Sequence, residues 1–287
     1  MTDSWIWVDS RSKVDEAKNR IERSSTICVD TEYDSFRYFR EKLCLIQIKA
    51  ANRTYLFDPL NKLDFSFLGS TFSDPNILKV IHAGDNDIRI LKRDYGFEFK
   101  NIFDTHRAAS ILGCRHLSLK SIIFQYLGVE LNKTKRMQRS RWENRPLTGE
   151  QICYAVLDTA YLTDLYIRLK NKIKQEGLES TASESFEKMT AVKWHEKILD
   201  FNGHLKINGA KDLNKYQQRR LKALYRWRFK KAKETNIARF MILSDQNILD
   251  LSKIEKCSVE SLGNIPTLSS RKAKTLGQEI IEILNNL

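Results

Sequence analysis

TICVDTEYDSFRYFREKLCLIQIKAANRTYLFDPL, residues 26–60, carries three β-favouring runs in quick succession. Thr26, Ile27, Cys28 and Val29 form the first, and β-branched residues suit a pleated, half-buried surface. LCLIQIKA (43–50) and TYLFDPL (54–60) follow, parted by the polar ANR, with Pro59 ending the last run. Connections this short predict an antiparallel meander. The pattern then changes. ILKVIHAG (77–84) reads as a buried strand, DNDIRILKRDYG (85–96) as a helix closed by Gly96, and NIFDT (101–105) as another strand. Helical HRAASILG and SLKSIIFQYLG come next. A meander followed by alternating helix and strand predicts an α/β domain with a mixed sheet flanked by helices.

Composition bounds the chemistry. At 287 residues and 41% hydrophobic, the chain has material for a good-sized core and a smaller module. The five cysteines (Cys28, Cys44, Cys114, Cys153, Cys257) are scattered and include no CxxC pair, so neither a zinc knuckle nor a disulfide framework is indicated. They suit a reducing compartment. MTDSWIWVDS has no basic n-region, and no stretch approaches the apolar length of a membrane span. The expectation is a cytoplasmic protein with no membrane partner. The net charge of +13 favours a polyanionic partner, and +8 of it falls in the last 77 residues.

Outside the meander, NKTKRMQRSRWENRPL (132–147) is basic and irregular. Lys133, Lys135, Arg136, Arg139, Arg141 and Arg145 are its candidate phosphate contacts, although a solvated loop has the same composition. Thr148 and Gln151 then make a capping box, with Leu147 and Ile152 as a hydrophobic staple. The helix they start is expected to run through EQICYAVLDTAYLTDLYIRLKNKI. Residues 173–210 read as a helical connector and linker, and 211–287 as a separate all-helical domain. Residues 211–233 hold ten basic side chains and one acid. With Leu221, Leu224 and Trp227 facing a core, Arg219, Arg220, Arg226 and Lys230 are candidates for a nucleic-acid-binding stripe.

The acids raise the chemical question. Side chains alternate along a strand, so Asp30 and Glu32 share a face if the strand persists through them. Taken alone, the pair also fits a strand that has ended with both acids solvated. Asp85 stands where an N-cap is needed, and Asp87 falls in the first helical turn, where the macrodipole favours an acid. Tyr154 and Asp158 are four apart on one helix face. A mid-helix Asp among Ala155, Val156 and Leu162 needs a cation, from an Arg or from a metal. Carboxylates from three separate segments, with no His or Cys cluster, suit Mg²⁺ or Mn²⁺ and not zinc. Four acids are enough to hold two such ions about 4 Å apart, the arrangement that clamps both oxygens of a phosphoryl displacement.

VDTEYDSFRYFREKLCLIQI, HAGDNDIRILKRDYG with IFDTHRAA, and SRWENRPLTGEQICYAVLDTAYL resemble the three motifs of the DEDD exonuclease superfamily. The spacing Tyr154-x-x-x-Asp158 matches its tyrosine-bearing branch, and W-x-x-R-P-L is similar to the ribonuclease D family. The tail LKALYRWRFKKAKETNIARFMILSDQNILDLSK resembles an HRDC domain. The resemblance implies a ribonuclease H-like fold over residues 1–172. It implies Asp30, Glu32, Asp87 and Asp158 as metal ligands and Tyr154 as the residue that positions the attacking water. Asp104 matches a recurring aspartate that organises the following helix. The implied activity is two-metal-ion hydrolysis of RNA from a free, single-stranded 3′ end, releasing nucleoside 5′-monophosphates in tRNA or other structured-RNA maturation. A DNA exonuclease of the Werner type shares these acids, and a non-catalytic RNA-binding scaffold is the remaining reading.

Overall fold

A computed structural model describes residues 4–131 and 135–287, excluding the side chain of Lys135; Lys133 lies outside the described residues. They fall into two compact units: residues up to Asp34 with Lys42–His195, and Ser35–Glu41 with Glu196–Leu287.

The first unit runs β1 (Ser4–Val8), α1 (Arg11–Glu22), β2 (Thr26–Asp34), β3 (Lys42–Ala50), β4 (Arg53–Phe57), α2 (Phe67–Ser73), β5 (Leu78–Ile81), α3 (Asp85–Tyr95) and β6 (Ile102–Asp104). It continues with α4 (Thr105–Ile111), α5 (Leu119–Leu127), α6 (Lys135–Gln138), α7 (Gly149–Ala160), α8 (Leu162–Gln175) and α9 (Glu179–Thr190). The sheet order is β1-β4-β3-β2-β5-β6. β2, β3 and β4 form the expected antiparallel meander, and β5 and β6 extend it in parallel from β2. The α/β mixed-sheet expectation holds.

Strand alternation gives each face of the sheet its own core. Ile27, Val29, Ile46, Ile48, Tyr55 and Phe57 pack with Val14 and Ile21 of α1, Leu68 of α2 and Ile88 and Leu91 of α3. On the other face, Leu45 and Leu56 meet Leu147, Ala155 and Val156, while Cys28 and Val80 meet Leu162, Leu165 and Leu169. Asp30 and Glu32 follow Cys28 at two-residue intervals and so belong to this second face, beneath α7 and α8.

Several local expectations are corrected. Residues 4–8, for which the sequence carries no expectation, form an edge strand parallel to β4. The long helix after Thr148 breaks at Tyr161 into α7 and α8. At the break Lys49 Nζ, reaching up from β3, donates to the Ala160 carbonyl, replacing a helical partner. Residues 173–195 pack as part of the first unit, α9 bearing on α4 and β6. Asp85 is not an N-cap: Gly84 holds that position without a side-chain cap, and Asp85 instead pairs with Arg107 at 2.8 Å. Arg145 is not a phosphate contact. Its Nε and Nη2 each reach an Asp58 carboxylate oxygen at 2.6 Å, and it also donates to the carbonyls of Cys44, Trp142 and Asn144.

The second unit contains α10 (Lys215–Thr235), α11 (Arg239–Ile242), α12 (Asp245–Lys253), α13 (Val259–Gly263) and α14 (Ser270–Asn285), as the all-helical expectation requires. Leu221 and Leu224 of α10 are buried against Ile248, Leu262 and Ile280. Segment 35–41 joins this unit: Phe36 packs on Phe240 with ring centroids 4.8 Å apart, and Tyr38 bridges to Ile237. Arg220 leaves the proposed stripe, because it is 1% exposed and donates to the carbonyls of Ile254 and Glu255.

Arg145 supplies a test of the first unit's packing. Arg145→Ala leaves Asp58, 5% exposed, without its bidentate partner. A loss of about 3–5 kcal/mol in urea unfolding is expected. A loss below 1 kcal/mol, in the range of exposed pairs, contradicts a structural role.

Candidate active site

The strand does persist through the acidic pair. β2 runs to Asp34, with Asp30 opposite Gln47 and Glu32 opposite Leu45 of β3, and a bulge follows between Glu32 and Tyr33. Both carboxylates therefore stand on the α7 side. Asp158 of α7 meets them there: one carboxylate oxygen each from Asp30, Glu32 and Asp158 lie within 4.8 Å of one another. Glu32 is buried, and the other two are partly so. Three like charges in such a space need a counter-charge, and an all-oxygen set of this kind fits a hard divalent cation.

Helix α7 is aimed by its start. Thr148 Oγ1 accepts from the Gln151 N–H at 3.2 Å, and Gln151 Oε1 accepts from the Thr148 N–H at 3.0 Å, completing the expected capping box. Leu147 and Ile152 pack in the same cluster beside it. Tyr154 stands one turn before Asp158, its ring 5.9 Å from that of Trp142. Burial, then the charges of Asp158, Glu32 and Asp30, push its hydroxyl pKa far above the ordinary value. Tyr154 is thus a phenol at any physiological pH, able to donate or accept a hydrogen bond but unsuited to act as a general base.

Asp87 is held differently. It is not one of the three clustered carboxylates; its Oδ1 accepts from Thr31 Oγ1, the residue between Asp30 and Glu32. Burial, with Asp104 and Asp158 adding repulsion, raises its pKa to about 6. The turn that delivers it is tightly specified. Ala83 sits at φ 55, and a Cβ on Gly84 would lie 2.4 Å from Ile81 Cδ1. Asp104 then ties two elements together, accepting from the Gly84 N–H at 2.9 Å and, as N-cap of α4, from the Arg107 N–H at 2.8 Å. Thr31, Ala83 and Gly84 carried no recognisable signal in the sequence, since their importance depends on partners brought in by the fold.

Among the remaining candidates, Arg136, Arg139 and Arg141 are exposed in the first unit, while Arg219, Arg226 and Lys230 are exposed in the second. Lys135 begins α6, but its side chain lies outside the description.

Residues 5–174 match the family described as 3′-5′ exonuclease, and residues 217–284 match the HRDC domain. The chain belongs to the 3′-5′ exonuclease family. Divalent metal ions serve that family, in keeping with the acidic cluster. "Protein RRP6-like 3" of Arabidopsis thaliana is 31% identical over 91% of this chain and 32% of its own length. "Ribonuclease D" of Shewanella sp. is 27% identical over 97% of the chain and 71% of its own length. The chain therefore spans about a third of the plant relative and over two thirds of the bacterial one. The catalytic core of RRP6 from Trypanosoma brucei shares the fold, with a TM-score of 0.90 at 23% identity, covering 99% of this chain and 80% of that one.

Were Asp87 to join the cluster in holding a cation, its raised pKa would make metal affinity pH-dependent. Below about pH 6 the carboxyl would carry a proton that has to leave as the cation binds. Mn²⁺ affinity should be flat above pH 7 and fall by up to tenfold per pH unit below 6. Asp87→Asn should remove that dependence along with most of the affinity. Asp85→Asn, which only breaks the Arg107 pair, should preserve both. Titration calorimetry from pH 5 to 8 checks this, and a wild-type affinity constant over that range contradicts it.

Proposed function

We propose that this protein is a metal-dependent 3′-5′ exoribonuclease. The observation that carries the reading is the convergence of Asp30, Glu32 and Asp158 within 4.8 Å, with Tyr154 one turn before Asp158 on the same helix. Asp87, near enough for the charge of Asp158 to raise its pKa, supplies the fourth acid. Two divalent ions of the Mg²⁺ or Mn²⁺ class would supply charge neutralisation and polarise the attacking and departing oxygens. Asp30, Glu32, Asp87 and Asp158 would hold them.

The chain's own groups do the rest. Tyr154, kept protonated by burial and by three neighbouring carboxylates, presents a hydroxyl that orients the attacking water. Arg136, Arg139 and Arg141 stand exposed shortly before α7 in sequence and suit the phosphates of an incoming strand. In the second unit, Arg219, Arg226 and Lys230 project from α10 as a further basic surface. The ribonuclease D among the relatives supports an RNA substrate; the proposed substrate is RNA with a free, single-stranded 3′ end, in tRNA or other structured-RNA maturation. The five free cysteines support action in the reducing cytoplasm.

Ribonucleotide and deoxyribonucleotide strands of equal sequence, labelled at the 5′ end and incubated with Mg²⁺ or Mn²⁺, provide the test. A shortening ladder on RNA is expected. A ladder on DNA alone marks a DNA exonuclease, and binding without cleavage marks a scaffold. In the same assay, Tyr154→Phe should lower single-turnover cleavage by about 100-fold, because one positioned hydrogen-bonding group is removed. Its Mn²⁺ affinity should stay near that of the parent. Cleavage by the Phe variant at the parental rate would reduce Tyr154 to a packing residue.

A further inference from the structure

Gln47 lies at 0% exposure in the middle of β3, and neither its Nε2 nor its Oε1 has a hydrogen-bond partner among the described residues. A buried polar group left in this condition is destabilising. An apolar residue of similar size avoids that penalty. The position of Gln47 suggests what offsets it. β3 sets Gln47 opposite Asp30 of β2 on one side and opposite Leu56 of β4 on the other. Directly opposed side chains share a face, with Cβ atoms about 4.5–5.5 Å apart. Leu45, two residues before Gln47, and Leu56 both pack with Trp142, Ala155 and Val156. The amide is therefore enclosed beneath α7, next to the first carboxylate of the acidic cluster.

We propose that Gln47 is a positioning residue for Asp30. With Asp30, Glu32 and Asp158 holding a divalent cation, the Gln47 Nε2–H would donate to the Asp30 carboxylate, directly or across one buried water. This donation fixes which oxygen faces the cation. Gln47 Oε1 needs a donor in turn, and the indole N–H of Trp142 is of the right kind: buried, without a partner among the described residues and in the same cluster beneath α7. The groups that orient metal ligands from behind typically contribute about 10–100-fold to metal affinity or activity. The proposal rests on the reading of the acidic cluster as a metal site.

Gln47→Met tests it, because methionine keeps the length and removes both polar atoms. Mn²⁺ affinity is measured by calorimetry and thermal stability with and without Mn²⁺, on the full chain. The metal-free melting temperature should equal or exceed the parent's, since an unsatisfied amide has been removed. Mn²⁺ affinity should nonetheless fall about tenfold, and the Mn²⁺-induced rise in melting temperature should shrink. Unchanged Mn²⁺ affinity in a folded Met variant overturns the proposal, as does a variant that fails to fold, which would make the amide a structural requirement. Failure of the parent itself to bind Mn²⁺ would instead refute the metal-site reading beneath it.

Discussion

Three carboxylates drawn from two separate segments occupy a space less than 5 Å across, and Glu32 among them is 8% exposed. Two unit charges 4 Å apart repel by about 4 kcal/mol at an effective dielectric of 20. The surrounding structure has to hold these groups against that repulsion. It does so with rigid elements. Asp30 and Glu32 sit on a strand that pairs with β3 at both positions and with β5 just before them, at Thr26–Cys28. Asp158 is mounted on a helix whose first turn is locked by a reciprocal cap and whose last turn is held by Lys49 from β3. An arrangement that holds like charges together in this way suits a cation.

The neighbouring parts serve the same arrangement. The Ala83–Gly84 turn sets the start of α3, and Asp104 pins that turn to the start of α4. Asp87 is thereby brought to Thr31, between the two acids of β2. The bidentate Arg145–Asp58 pair joins the end of β4 to the segment leading into α7, where the capping box begins. Each of these contacts fixes the angle at which an acid-bearing element enters, and none of the residues involved is itself one of the clustered carboxylates.

Local signals were legible in the sequence and distant ones were not. The capping box at Thr148 involves residues three apart, and the meander shows in its alternation and short connections. The Asp30–Glu32 pair was decided by whether β2 continued, and that depends on pairing with β3. β1 was missed because its partner β4 lies some fifty residues away. The break at Tyr161 is tied to Lys49, which no helical pattern contains. Arg145 and Arg220 read as surface cations for the same reason. Their composition suits phosphate binding, but Asp58 and the Ile254 carbonyl, remote in sequence, claim them. A basic residue in a basic stretch identifies its partner only after the fold has brought the two together.

Whether the carboxylate cluster is a divalent-cation site can be read from Mn²⁺ located by anomalous diffraction in crystals of the protein. A peak coordinated by Asp30, Glu32 and Asp158 is expected, with a second ion about 4 Å away within reach of Asp87. Saturating Mn²⁺ that leaves the cluster without an anomalous peak, or that appears only at unrelated surface acids, would contradict the metal-site reading.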